Sequence, residues 1–295
     1  MMVRHNATKG ASMRPLRHVF LAATFLMLAA CREMQPDPLR LATTTSTYDS
    51  GLLDAILPKF EAQTGIRVEV IAVGTGQALA LGERGDADLL WVHHPALEEQ
   101  FIRQGHGTAR VPIMRNDFIL VGPCEDPAGA RGLARATEAL RRIEQVGAPF
   151  ASRGDESGTH ARERELWTQA GEEPDPDASW YFSLGQGMGE TLQFAQERAA
   201  YTLSDRGTFL ALQSSLPELC ILVGGATMAE NPDEALYNEY SLIPVDPDRH
   251  PGVNTEGADA FLAWARSPET LQAIGEYGLA EFGQPLFLPI LETEG

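Results

Sequence analysis

Positive charge is scarce in this 295-residue chain: 23 lysines and arginines face 41 aspartates and glutamates, for a net charge of −18. That balance excludes a nucleic-acid partner, because a phosphate backbone is held by basic patches. It does not exclude a small anion. Exposed charges more than about 10 Å away are screened at ordinary salt, so a few inward-facing donors outweigh a remote acidic surface, which serves solubility instead. Long apolar runs are equally scarce. Only residues 19–30 are continuously apolar or small, too short a stretch to cross a bilayer as a helix. Cysteine occurs three times, and no internal repeat or low-complexity tract is present.

The short apolar run is preceded by Arg14, Arg17 and His18, the order of an export signal. It ends in Leu28-Ala29-Ala30-Cys31, which resembles the lipobox of bacterial lipoproteins. Residues 1–31 are therefore expected to be a lipoprotein signal peptide ending at Cys31, which is acylated and anchors the protein in the periplasm or at the cell surface. An anchor that survives Cys31→Ser would contradict this. Residues 32–295 suffice for one large domain or two lobes. Cys124 and Cys220 remain, and an exported protein permits their pairing, but the spacing leaves it open.

The mature chain alternates strand and helix signals. Leu39 to Thr43 reads as a strand, and a helix opening at Tyr48 carries Leu52, Leu53, Ile56, Leu57 and Phe60 at helical spacing, closed by Gly65. Strand 68–73, helix 77–84 and strand 87–92 follow, the pattern of a parallel sheet wrapped by helices. Strand 118–122 leads to a turn-rich stretch and a second unit. That unit contains helix 133–145, strand 149–152, helix 161–170, helix 190–198, and strands 200–203 and 220–223. Residues 241–245 return the chain to the first unit, ahead of helices 255–266 and 268–278. Two α/β lobes joined by two crossings fit this order, and ligands of such folds sit between lobes or beyond the C-terminal ends of strands.

Four loops fall at those ends and each precedes a helix: Thr43-Thr44-Thr45-Ser46, Val73-Gly74-Thr75-Gly76-Gln77, residues 152–160, and Gly185-Gln186-Gly187-Met188-Gly189. The unpaired N–H groups of a helix start carry about half a positive charge, so each loop is a ready anion site. One hydroxyl suffices to cap a helix, and the run of hydroxyls ending at Thr45 and Ser46 exceeds that need. Around Thr75, glycines satisfy a tight turn and also let the backbone approach a ligand. Arg153, before Gly154, can offer a planar fork of donors to an oxyanion, or form an ion pair with Asp155 or Glu156, and the two roles are compatible. Ser157, Gly158 and Thr159 add donors at the next helix start. Gly187, Met188 and Thr191 form either a further wall or a plain turn. Arg206, in Ser-Asp-Arg-Gly, is a possible second cation, with Asp205 an equally good partner. His93 and His94 are neighbours on a strand, so they face opposite sides and do not form a metal site.

Taken together these segments, with Gly85-Asp86-Ala87-Asp88, Asn116-Asp117-Phe118 and the run Tyr201 to Thr208, resemble the tungstate-binding proteins of bacterial ABC importers, over almost all of residues 39–255. The resemblance implies a type II periplasmic binding protein fold, with two mainly parallel sheets flanked by helices and two hinge crossings. Lobe 1 is expected over 32–118 and 242–295, and lobe 2 over 119–241. It further implies binding of tungstate, with molybdate weaker, between the lobes by a monomer, and delivery to an ABC permease. The implied ligand set is Thr45, Ser46, Thr75, Arg153, Ser157, Gly158, Thr159, Gly187, Met188 and Thr191, with no catalytic residue, metal or cofactor. Cys124 and the acidic run 230–240 depart from the family pattern.

Two alternatives remain open at this level. Phosphate-binding proteins carry a similar Arg-x-Asp-x-Ser-Gly-Thr loop. Phosphate is partly protonated and profits from a carboxylate acceptor such as Asp155, whereas tungstate donates nothing. A hydrolase would use Ser157, His160 and Asp155, but no nucleophile elbow accompanies them.

Overall fold

The computed structural model describes residues 1–2, 36–155 and 157–291. The expected signal peptide, Cys31 and the Glu156 alternative for Arg153 lie outside the described residues, apart from residues 1–2. In chain order the first elements are β1 (Leu39–Thr44), α1 (Thr45–Asp49), α2 (Leu52–Thr64), β2 (Val68–Val73), α3 (Thr75–Arg84), β3 (Leu89–Val92), α4 (Pro95–Arg103) and β4 (Val111–Pro123). They continue with α5 (Ala136–Val146), β5 (Phe150–Ser152), α6 (Gly158–Ala170), β6 (Tyr181–Ser183), α7 (Met188–Arg198), β7 (Thr202–Asp205), α8 (Arg206–Leu212), β8 (Leu219–Val223) and β9 (Tyr237–Pro244). The chain ends in α9 (Thr255–Ala265), α10 (Pro268–Glu276), α11 (Leu279–Phe282) and β10 (Leu288–Pro289).

Strand β1 pairs in parallel with β2 and β3. Its residues are buried on both faces, as parallel strands covered by helices must be. Leu39 and Leu41 join Leu52, Phe60, Trp91 and Phe261 in one core cluster. Ala42 points the other way, into a cluster with Leu90, Val92, Ala78 and Phe101. A separate pair of clusters is built from residues of the 118–236 stretch, around Phe150, Trp167 and Tyr201 on one side and Ile119, Leu192 and Phe209 on the other. There β5 runs parallel to β6, and Phe150 makes a parallel bridge to Tyr201.

Among the described residues, every antiparallel pairing between strands involves β4 or β9, the two strands that cross between the lobes. Residues of β4 up to Asp117 pair with β9, and from Phe118 onward the partners are β7 and β8. The fold is thus a two-lobed α/β architecture whose strands run parallel except at the crossings.

Several boundaries differ from those read in the sequence. The helix expected to open at Tyr48 is split into α1 and α2 at Gly51, which adopts φ 76°. A Cβ there would stand 2.7 Å from the Tyr277 hydroxyl, which donates to the Ser50 carbonyl. Helix α4 was not anticipated, although Pro95 at its first turn is a helix-start signal. The strand expected from Phe118 begins at Val111, because Arg115, Asn116 and Asp117 break the apolar pattern while the backbone stays paired. The returning strand likewise begins at Tyr237. Cys124 and Cys220, whose pairing the spacing left open, form a disulfide that ties the end of β4 to β8.

Candidate functional site

At the end of β1, capping falls to a single residue. The Thr44 hydroxyl accepts the Thr47 amide at 3.3 Å and contacts the Thr47 hydroxyl at 2.6 Å, while Thr43 donates to the Trp91 carbonyl. Thr45 and Ser46 are left exposed at the start of α1. Ser46 Oγ lies 3.4 Å from Nε2 of His93, at the end of β3. The His93 ring stacks on Tyr240 with centroids 4.7 Å apart. Its Nδ1 stands 3.0 Å from Oδ1 of Asn238, whose Nδ2 donates to Asn116 Oδ1 and the Tyr240 hydroxyl. Burial drives the pKa of His93 down to about 4, against the weaker opposing effect of the Asn238 hydrogen bond. The ring is therefore neutral at pH 7.

In the second unit, β5 ends in the Arg153 loop. Gly154 has φ 60°, and a Cβ there would fall on the Ser183 hydroxyl, so only glycine fits. The turn lets Ser152 and Arg153 present carbonyls to the Leu184 and Gln186 amides, both at 3.1 Å. That pairing ties the glycine-rich loop before α7 to the arginine loop. Among the described residues, the Arg153 guanidinium reaches Asp155 through Nε and Nη2, and the Thr159 hydroxyl through Nη1 at 3.4 Å. The ion-pair alternative is thus present with Asp155 among the described residues. Burial raises the Asp155 pKa, but the Ser157 hydroxyl and amide and the Arg153 charge together hold it below the ordinary carboxylate range. Three donors, two from Arg153 and the Ser157 amide, converge on a carboxylate with about four lone-pair sites. Ser157 also caps α6 by accepting the His160 amide.

Gly187 is the N-cap of α7, with no side chain to satisfy the first-turn amides. One residue expected as a ligand, Thr191, is corrected here. Thr191 is fully buried, and both its hydroxyl and its amide donate to the Gly187 carbonyl, so neither is turned to a ligand. Met188 packs its side chain among Ile119, Val121 and Leu192, leaving only its amide at the helix start.

Arg206 is corrected more sharply. Its five N–H groups meet both oxygens of Asp117 and the carbonyls of Gly224, Gly225 and Ala226, and the side chain is 1% exposed. Asn231 completes the cluster by donating to Asp117 at 2.8 Å. Asp205, the partner considered from the sequence, instead caps α8 through the Thr208 amide. Arg206 has no donor left for an anion and pins the β4 crossing to the turn at 224–226.

A cavity of about 240 Å³ lies between the two sides, lined by Thr75 and Gly158 together with His93, Asn238, Phe118 and Arg162. Thr75, in the first turn of α3, and Gly158, in the first turn of α6, face it from opposite lobes. A Cβ on Gly158 would sit 3.2 Å from His93 Cε1, so the helix start lies close against the ring. Arg162 is paired with Glu165 at 3.1 Å. Ser46, Thr75 and Gly158 are thus grouped around His93, and Arg153, Thr159 and Gly187 are linked to the same helix start through the loops. Sequence reasoning considered His93 only as half of a metal pair. Its position after β3, level with the hydroxyl loop after β1, was the available signal. Asn238 and Arg162 carried none.

Two lobes crossed by two strands, with helix starts facing one cleft, define a binding protein of the periplasmic type. The chain belongs to the PBP superfamily, whose domain matches residues 34–269. Within that class it is similar to the tungstate-binding protein TupA of Peptoclostridium acidaminophilum, 47% identical over 251 residues and 84% of each chain. It is 45% identical to a putative ABC transporter anion-binding protein of Haloferax volcanii, over 85% of this chain and 71% of that one. The structure of the tungstate-binding protein TupA from Desulfovibrio alaskensis superposes with a TM-score of 0.79 at 46% identity, covering 87% of this chain and 100% of that one. The chain belongs to the family these proteins form.

Proposed function

We propose that this protein captures tungstate in the interlobe cleft outside the cytoplasm and delivers it to the permease of an ABC importer. The observation that supports the reading is the cavity to which the starts of α3 and α6 contribute Thr75 and Gly158, with Ser46 of α1 beside His93 in its lining and Arg153 joined to the α6 start through Thr159. Hydrogen bonds to a charged group contribute about 1.5–3 kcal/mol each, so six or seven donors suffice for nanomolar affinity, about −12 kcal/mol, after desolvation. Molybdate is the weaker ligand in this reading. Lobe 1, residues 32–118 with 242–295, closes on lobe 2, residues 119–241, by hinge motion at β4 and β9. The protein works as a monomer tethered through lipid on Cys31.

Phosphate is the second reading, and Asp155 weighs against it. A protonated oxyanion needs an acceptor, and the donors from Arg153 and Ser157 already occupy this carboxylate. A hydrolase reading is weaker still. The Ser157 hydroxyl caps α6 and is turned to Asp155, which is itself committed to Arg153. The test is a competition titration with tungstate, molybdate, sulfate and phosphate. Tungstate should displace the other three at equal concentration, and displacement of tungstate by phosphate would overturn the assignment.

A further inference from the structure

His93 is a half-buried titratable group lining the cleft to which binding through hydroxyls and helix starts assigns no part. Three residues from two elements hold its ring: Tyr240 of β9 packs against it, Asn238 of the same strand meets its Nδ1, and Gly158 of α6 abuts Cε1. Asn238 spends its Nδ2 on Asn116 and Tyr240, so the atom facing His93 is a carbonyl oxygen, and Nδ1 carries the hydrogen. In the neutral ring Nε2 is then a bare lone pair, and it lies beside Ser46 Oγ at the cavity edge. A dianion among Ser46, Thr75 and the Gly158 helix start would face that lone pair, which repels it. A proton on Nε2 reverses the sign and also frees the Ser46 hydroxyl to turn to the anion.

Resting on the tungstate reading, we propose that His93 is a direct oxyanion-binding residue, and that it takes up one proton from solvent as the dianion binds, donating Nε2–H to it. The other groups around the ring do not supply that charge. His94 is its chain neighbour, Arg162 of α6 is paired with Glu165, and both disfavour the imidazolium in the empty cleft, as does burial. Asp205 acts electrostatically on Tyr240, the stacking partner. Without an anion the ring stays neutral, and with one the charge of the ligand outweighs burial.

The test is calorimetric titration of the protein with tungstate at pH 7 in buffers of different ionisation enthalpy, repeated from pH 8 to 6.5. Wild type should take up one proton per tungstate, and its affinity should rise about tenfold for each unit the pH falls. His93→Gln should bind more weakly and with no proton uptake. This arm matters because Glu163, within α6, also titrates near pH 7. Asn238→Asp places a carboxylate against Nδ1–H, charges the ring in advance, and should lower the uptake while binding persists. A role confined to packing would not produce that result. Tight tungstate binding with no proton uptake, or with uptake unchanged in His93→Gln, overturns the inference while leaving the ligand intact. Absence of tungstate binding overturns both.

Discussion

Arg153 and Arg206 occupy matching places in the chain. Each follows a strand, precedes a glycine and stands beside an aspartate at the start of a helix. One is 18% exposed with its guanidinium on Asp155 and Thr159, and the other is 1% exposed with five donors on five acceptors. An arginine can serve a ligand only if its donors are not all consumed by the fold. Arg206 therefore holds the crossing strands, while Arg153 sits in the loop between β5 and α6 and reaches the first turn of α6. Their aspartates divide in the same way: Asp117 is buried in a closed cluster, whereas Asp155 holds an arginine that also reaches Thr159 in the first turn of α6.

The difference sets the order of expected effects. Arg206→Ala strands the Asp117 charge in the interior, and should cost about 3–5 kcal/mol of unfolding free energy in a urea titration. A loss below about 1 kcal/mol would erase the contrast between the two arginines. Removing the disulfide that ties the end of the same crossing strand to β8, by Cys220→Ser, should cost about 4.7 kcal/mol for a closed loop of about 100 residues, again read from unfolding.

Beneath the Arg153 loop lies Glu163, which accepts from the Tyr181 hydroxyl at 2.7 Å and whose pKa burial raises to about 7. A carboxyl whose folded pKa lies above its unfolded value stabilises most at low pH. Its contribution is lost as pH rises from about 4.5 to 7, an effect on the order of 3 kcal/mol. Glu163→Gln should flatten the fall in stability between pH 5 and 8, and an unchanged fall would assign it to another group. Asp155 runs the opposite way. Its pKa is depressed, so its contribution is present above its unfolded pKa and is lost as pH falls through the folded one. The smallest effect expected is for Asp155→Asn, which loosens the grip on Arg153 and should weaken tungstate several-fold, about 1 kcal/mol by calorimetry. A gain in affinity would mean that the carboxylate opposes the anion rather than orienting its partner.

How far the sequence carried this reading depended on whether a signal was local. Leu52, Ile56 and Phe60 repeat at helical spacing, and Gly65 stops the helix where the repeat ends. The hydroxyl and glycine loops at 43–46 and 152–160 sit where strands give way to helices, so their place at one end of the fold followed from the alternation. Contacts made across the chain left no such mark. Asp117 lies 89 residues from Arg206, and Asp205 is adjacent, yet the distant aspartate is the partner. Asn238 and His93 are 145 residues apart, and only the pairing of β3 with β9 brings them together. The 13-residue β4 was hidden because its middle is polar, as a strand between two cores can be.

The most direct measurement is calorimetric titration of tungstate into the protein and into Arg153→Ala. Tight binding by the wild type, weakened in the variant by about 30-fold or more, the value of one charged hydrogen bond or two, is the expected result. Equal affinity in both would remove Arg153 from the site. No heat with tungstate, and none with molybdate, sulfate or phosphate, would reduce the four loops to helix caps and end the transport reading.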